Sequence, residues 1–480
     1  MSQQDGLRLD AFKPGPLTFD PGVMCGFTVD IGGLVIRLIP LCAVAGLTLG
    51  CGSWQRVGAD SPASSGGSIT EVLDMASVYK RLGRFVAPSP VSFIGEVVYT
   101  AGPGDSTIAI VGLSLENRVL SFQREDARFI ARYRVEIVFE PEGAPPIRVG
   151  RDEVVQVSTF QETMRNDESV LFQQAFHLIP GSYKVSASVR DRASSEQSRV
   201  ESTVTVPAFT DGSTSAPVVA YEVTGRARQA DPLTVVLNPR GTVAYGSDTL
   251  LAYIEGYQFP GPVALPFEIH DASDSIVFQD SLRFNGGLEV EGQVIRLTPD
   301  SAPLGELRLV VGSGPARRET SAIVSLSTAW VVTNYQEMIT LLRYYGYKEK
   351  LDSLENVSPA ERSQLWRSFY SSTDPNKATP ENEALDRYFS RLAIANARFR
   401  DEGVPGWRTD RGEVYIVLGE PDEIYDSSPL SQGRVIRWVY TEDRFVATFV
   451  DETGFGRFRL TTGSRAEFDR VADRRRRQGR

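Results

Sequence analysis

Beyond residue 51 this chain has no cysteine; the three it carries are Cys25, Cys42 and Cys51. That excludes a disulfide framework for the bulk of the chain, a cysteine-based zinc site and a catalytic thiol. Histidine is almost as scarce. His177 and His270 stand in different regions, which argues against a histidine-centred triad or a multi-histidine metal site. There is no glycine-rich phosphate loop and no Gly-x-Ser-x-Gly elbow. Positive charge is in the minority. With 51 Lys and Arg against 61 Asp and Glu the net charge is −10, so nothing overall favours nucleic acid as a partner. The sequence assigns no catalytic residue, no metal and no cofactor.

What is present reads as several soluble domains. The 480 residues are 41% hydrophobic and 23% charged, a globular balance too long for one domain of about 100–150 residues. The one long apolar run is Leu38 to Gly50, with Arg37 just before it. A membrane-spanning helix needs about 20 apolar residues, so this shorter run fits the h-region of a signal peptide. Residues 1–33 carry four acids and two bases, a poor n-region. Met24 and Val35 are therefore candidates for the true start.

The run ends in Leu47-Thr-Leu-Gly-Cys51, which resembles a bacterial lipobox, with Thr48 where a larger aliphatic residue is commoner. The resemblance implies cleavage before Cys51 and lipid attachment at Cys51. It also implies a membrane held through that anchor, and a periplasm-facing place in the bacterial cell envelope, at the outer membrane rather than the inner. Residues 1–51 are thus read as a leader and residues 52–67, small and polar, as a flexible tether.

Residues 68–88 hold one short helix, opened by a capping box at Ser68-Ile-Thr-Glu71 and stopped by Gly83. From 89 to 208 the period changes to two. Phe129, Ala131, Tyr133, Val135, Ile137 and Phe139 alternate with polar residues, as in a half-buried strand. Residues 209–217 are a linker, and 218–327 form a second β-rich region with strands at Leu233–Leu237, Leu250–Ile254 and Glu306–Val311. The expected fold is two antiparallel β-sandwich domains, Ig-like, followed by a C-terminal α+β domain at 328–464. In that domain helices pack on a small antiparallel sheet. Residues 465–480 end in Arg474-Arg-Arg-Arg477 and are read as a solvated basic tail.

In the C-terminal domain a capping box at Ser358-Pro-Ala-Glu361 and the stripe Leu385, Tyr388, Phe389, Leu392, Ala395 and Phe399 mark helices. Between that stripe and the last strands lies Gly406-Trp407-Arg408-Thr409-Asp410. Arg411-Gly412 reads as a turn and Glu413 to Leu418 as a strand, rich in Val, Ile and Tyr. Gly406 and Gly412 bracket the loop, and both can take positive φ. This stretch resembles the signature of the bacterial GWxTD domain family. Companion segments extend the resemblance over about residues 329 to 460: Thr379–Glu383, Gly419-Glu-Pro-Asp-Glu-Ile424, Trp438–Tyr440 and Phe449–Gly456. The resemblance implies a domain rather than a reaction.

Asp410, Glu413, Glu420, Asp422, Glu423 and Asp426 gather around this motif. If the protein is an enzyme, Asp410, Glu413 and Asp422 are its acidic site, for a hard cation or for acid–base work. The structural reading is preferred. Thr409 and Asp410 would tie the loop to backbone groups, and Trp407, with Trp366 and Trp438, would sit in the core. The expected function is a non-enzymatic binding or assembly module with an envelope protein partner. The alternative is a carboxylate-dependent hydrolase, or a glycan-binding protein using the Trp407–Asp410 loop.

Overall fold

The fold is taken from a computed structural model, which describes residues 55–56, 75–165, 170–377, 379, 381–399, 404–427, 434–454 and 456–477. The leader, Cys51 and the Ser68–Glu71 capping box lie outside the described residues. Among those described, no helix is long and apolar enough to cross a membrane.

The first sandwich is built on Arg128–Pro141, a strand of 14 residues. Its Ala131, Tyr133, Val135, Ile137 and Phe139 point inward and are buried, as the period of two requires. It pairs antiparallel with Ile147–Val157 on one side and Gly181–Asp191 on the other. The facing sheet has the order Phe85–Ala87, Phe93–Ala101, Thr107–Leu115, Val170–Leu178. The two inner faces meet in one core, where the rings of Phe139 and Phe176 lie 4.9 Å apart. The first sandwich thus begins at Phe85, inside the region read as a helix.

The second sandwich pairs a four-stranded sheet with a six-stranded one. The six-stranded sheet contains one parallel pair, Thr242–Ala244 with Ile323–Ser325. Its other edge corrects the reading of a free tether over 52–67. Gln55 and Arg56 add to the sheet opposite Gln279 and Phe278. An edge strand offers unpaired backbone groups that even a small, polar segment can satisfy.

Leu250–Tyr257 is buried along its whole length. Leu250, Ala252 and Ile254 fill the core of their own sandwich, whereas Leu251 and Tyr257 turn to the first sandwich. A strand covered on both faces reads as a continuous apolar run. The seam is sealed by Arg226, whose guanidinium pairs with Glu255 at 2.8 Å and donates to the carbonyl oxygen of Ala101 in the first sandwich. Both charged side chains are 0% exposed.

Helix α1 (Met75–Arg81) is a wedge rather than a lead-in to the first domain. Val78 and Tyr79 pack with Ile94 of the first sandwich, Ile323 of the second and Val331 beyond it. The Tyr79 hydroxyl lies 3.0 Å from Thr242 Oγ1. Helix α2 (Phe160–Thr163) is a single turn on the first sandwich.

The C-terminal domain holds six helices among the described residues. They are α3 (Tyr335–Leu341), α4 (Lys348–Glu355), α5 (Arg362–Thr373), α6 (Glu383–Arg398), α7 (Asp410–Leu418) and α8 (Thr462–Arg477). They cover a four-stranded antiparallel sheet in the order Glu423–Ser427, Arg434–Tyr440, Phe445–Asp451, Arg459–Leu460. Their core is aromatic, with Trp330 stacked on Phe389 at 3.7 Å and Trp366 close by. At Ser358–Glu361 the capping box is replaced by a 3-10 turn. There the Ser358 hydroxyl bonds to the Glu361 carboxylate at 2.5 Å instead of to backbone.

Two further expectations fail in this domain. Glu413–Leu418 is helical, and the Arg411-Gly412 turn lies inside α7. Residues 465–477 are the body of α8, docked on the core through Phe468, Val471 and Ala472. Those three recur at helical spacing, so the basic ending is the outer face of an amphipathic helix rather than a tail.

Candidate functional site

The GWxTD-like motif is a 3-10 turn, Gly406–Arg408, running directly into α7. Thr409 is the N-cap. Its hydroxyl accepts from the Gly412 N–H at 3.0 Å and donates to the Gly406 carbonyl at 2.8 Å. One side chain thus starts the helix and fastens the turn before it. Asp410 and Glu413 stand in the first helical turn, where negative charge suits the helix dipole. Gly419, with φ of 88°, ends the helix, its N–H bonding to the Tyr415 carbonyl at 2.7 Å. Val414, Tyr415, Ile416 and Leu418 are all buried. A short helix covered all round carries an apolar run that looks like a strand.

Neither motif glycine has positive φ. They are needed for close approach instead. A Cβ on Gly406 would stand 2.6 Å from the Asn396 carbonyl oxygen of α6, and one on Gly412 would overlap the carbonyl oxygen of Gly406. Only a residue without a side chain lets backbone meet backbone here.

Trp407 is 0% exposed. Its ring lies in the domain core at the corner of α6 and α7, edge-on to Tyr344 at 6.4 Å, with the Arg408 guanidinium 4.8 Å from its centre. The gap between α6 and the sheet is filled by Phe399, Tyr415 and Trp438. Trp366 and Trp438 are buried as well, so none of these rings offers a face to a ligand.

The acids do not converge. Asp410 accepts from the Leu460 N–H at 2.7 Å and pairs with Arg465 of α8 at 3.2 Å. Glu413 pairs with the same arginine at 2.8 Å. Glu420 takes both arms of Arg398, at 2.6 and 3.0 Å, and that contact holds its carboxyl below the ordinary value of 4.5. Asp422 accepts from the Thr441 N–H at 2.6 Å, and this backbone bond lowers its pKa. Asp426 pairs with Arg434 at 3.0 Å, and Glu423 accepts from the Tyr425 hydroxyl at 2.6 Å. No group of three metal-binding side chains occurs among the described residues.

The structure therefore places Asp410 and Glu413 together around Arg465 and leaves Asp422 apart, at the sheet. Arg465 and Arg398 are partners that sequence reading missed. The signal for Arg465 was the helical spacing of Phe468, Val471 and Ala472, which puts it on the same helix. No comparable signal marked Arg398 as the partner of Glu420, 22 residues on.

No curated protein matches the chain. Among solved structures the chain is similar to one described as the crystal structure of calcium binding domain CBD12 of CALX1.1. Identity is 12%, the match covers 54% of this chain and 86% of that one, and the TM-score is 0.13. The family model of the GWxTD domain matches residues 311–453. Its start, at the end of strand Gly305–Val311, precedes the expected boundary at 328, and Leu326 already belongs to the C-terminal core. With the motif turn, its capping threonine and the buried Trp407 in place, the protein contains a GWxTD domain.

Proposed function

We propose that this protein is a cell-envelope lipoprotein, anchored through Cys51. In this reading its GWxTD domain is a non-enzymatic binding or assembly module, carried on two fused sandwiches. The observation that supports the non-enzymatic reading is the fate of the motif itself. Trp407 is buried, Thr409 closes a turn, and Asp410 is divided between a backbone N–H and Arg465. Groups used in this way hold a fold and leave no free carboxylate pair for acid–base chemistry. Buried Trp407 gives the glycan-binding alternative no stacking ring at this loop, and pairing with Arg465 leaves the hydrolase alternative no free carboxylate at Asp410 or Glu413. The lipobox-like Leu47–Cys51 supports the anchor.

Two measurements test the reading. Mass spectrometry of the mature N-terminus is expected to find an acylated Cys51, and Cys51→Ser to release the protein from the membrane fraction. A mature chain beginning upstream of Cys51 would overturn the anchor. Cross-linking in intact envelopes is expected to trap a protein partner on the GWxTD domain. Activity lost in a well-folded Asp410→Asn variant would overturn the non-enzymatic reading.

A further inference from the structure

Between α6, α8 and the turn at Tyr344–Tyr347 lies a cleft of about 460 Å³. That is within the range of about 300–1,000 Å³ usual for small-molecule sites. Tyr345 and Tyr388 line it, their rings 5.1 Å apart. Four arginines also line it: Arg387 and Arg391 from α6, Arg475 and Arg476 from α8, with Glu442 as the one acid in the lining. In a chain of net charge −10 this is a local reversal of sign.

Part of that charge has a structural use. Arg391 donates to the carbonyl oxygens of Ile416 and Val417 at 3.4 and 3.3 Å, and Arg475 to that of Leu418 at 3.3 Å. The two guanidiniums cap the C-terminus of α7, the negative end of its dipole. Arg475 also pairs with Asp443 at 2.5 Å. Arg387 has no such use. It is exposed and has no hydrogen-bond or ion-pair partner among the described residues. It stands four residues before Arg391 on the same helix, a like-charge spacing that weakens a helix. Arg476 is exposed and pairs with Asp473 of its own helix at 3.1 Å, its stem lying over Gly346. Burial, then Arg387 and Arg475, press the pKa of Arg391 below its ordinary value, which fits cations gathered side by side.

We propose that this cleft binds a phosphate-bearing ligand, with the phosphate held by Arg387 and Arg476 and the organic part lying along the half-buried Tyr345 and Tyr347. The guanidinium fork matches phosphate oxygens in pairs. With Arg475 paired to Asp443 and Arg476 to Asp473, Arg387 is the cation of the cleft left unmatched among the described residues, and exposed Arg476 can offer a second fork beside it. Tyrosine faces accept a planar or sugar ring. The phosphate could belong to a soluble monoester or to a lipid headgroup, and the test separates the two.

The full chain carrying Cys51→Ser, which leaves no lipid to insert, is titrated with phenyl phosphate by calorimetry. In a second arm it is floated with phosphatidylcholine vesicles, with and without phosphatidic acid. Saturable binding of phenyl phosphate is expected, weakened at least tenfold by Arg387→Glu and severalfold by Arg476→Ala, with melting temperatures unchanged. Binding confined to the phosphatidic acid vesicles, and abolished by Arg387→Glu, would assign the headgroup as the source. No binding to either probe, or binding indifferent to both substitutions, overturns the proposal. The inference rests on the binding-module reading, and phenol release tells the two apart. Hydrolysis would end the non-enzymatic reading while the cleft keeps its ligand, whereas absent binding would end the cleft's role and leave the module untouched.

Discussion

Arginine is placed in two contrasting ways in this protein. Arg226, at the seam of the two sandwiches, is wholly enclosed. Its Nε and Nη2 donate to Glu255, Nη2 also to the Ala101 carbonyl and Nη1 to the Gln229 carbonyl, and the hydroxyls of Tyr253 and Tyr257 satisfy Glu255 in turn. In the cleft of the GWxTD domain, arginines are gathered beside one another and two of them face solvent. Enclosure with every donor matched is what a buried charge needs merely to be tolerated. Like charges left adjacent have no such explanation in the fold. The motif acids belong with Arg226: Asp410, Glu413 and Glu420 are all matched. The contrast separates groups that hold the molecule from groups available to something else.

The contrast can be broken by substitution, and the largest effects are expected where charge or bulk is enclosed. Arg226→Ala leaves Glu255 buried and unpaired, so it is expected to lose about 3–5 kcal/mol in urea unfolding. Replacing both partners with Met and Leu is expected to lose much less. Trp407→Ala is expected to lose about 3–5 kcal/mol by the same measurement, because its ring is fully buried. Gly412→Ala, which adds a single carbon, is expected to lose about 1–3 kcal/mol, since that carbon meets the Gly406 carbonyl. Asp410→Asn keeps an acceptor for the Leu460 N–H but loses the Arg465 pair, and about 1 kcal/mol is expected. At the other extreme, Arg387→Glu is expected to change stability by no more than about 0.5 kcal/mol. A loss above about 2 kcal/mol there would show that the cleft arginine is part of the fold.

The smallest effect expected is in acid. Glu420 has a depressed pKa in the folded protein through Arg398. Its contribution is complete above the unfolded value and fades as pH falls through the lower folded value. Glu420→Gln is therefore expected to lower stability slightly at pH 7, where the exposed pair is intact, and to converge with the parent protein as pH falls below about 4.

Sheet and helix order could be read from the chain because alternation and helical spacing are local. Phe129–Phe139 announced a strand, and the stripe from Leu385 to Phe399 announced α6. α7 could not be read this way. Val414 to Leu418 is apolar on every side because the domain surrounds it, and periodicity vanishes when there is no exposed face. The role of the glycines was misread for a related reason. Sequence suggests a turn, but contact with the α6 backbone is a tertiary fact. The partners Arg465 and Arg398 stand 52 and 22 residues from the acids they neutralise, so the acidic cluster looked free until the fold closed it.

The wedge helix has a consequence for how the molecule comes apart. Val78 and Tyr79 touch residues of both sandwiches and of the segment entering the GWxTD domain. Each body therefore covers apolar surface that the others would expose if they separated. Hinged domains open locally, at a fraction of the global free energy, and their interface amides exchange early. Here the slowest-exchanging amides should run continuously from Leu113 through Ala252 and Ile323 to Trp330. Peptides from all three bodies should gain deuterium together under strongly destabilising conditions. Segments joined in this way come apart together, so a loss of packing at Val78 or Tyr79 should be felt in both sandwiches and in the segment entering the GWxTD domain alike.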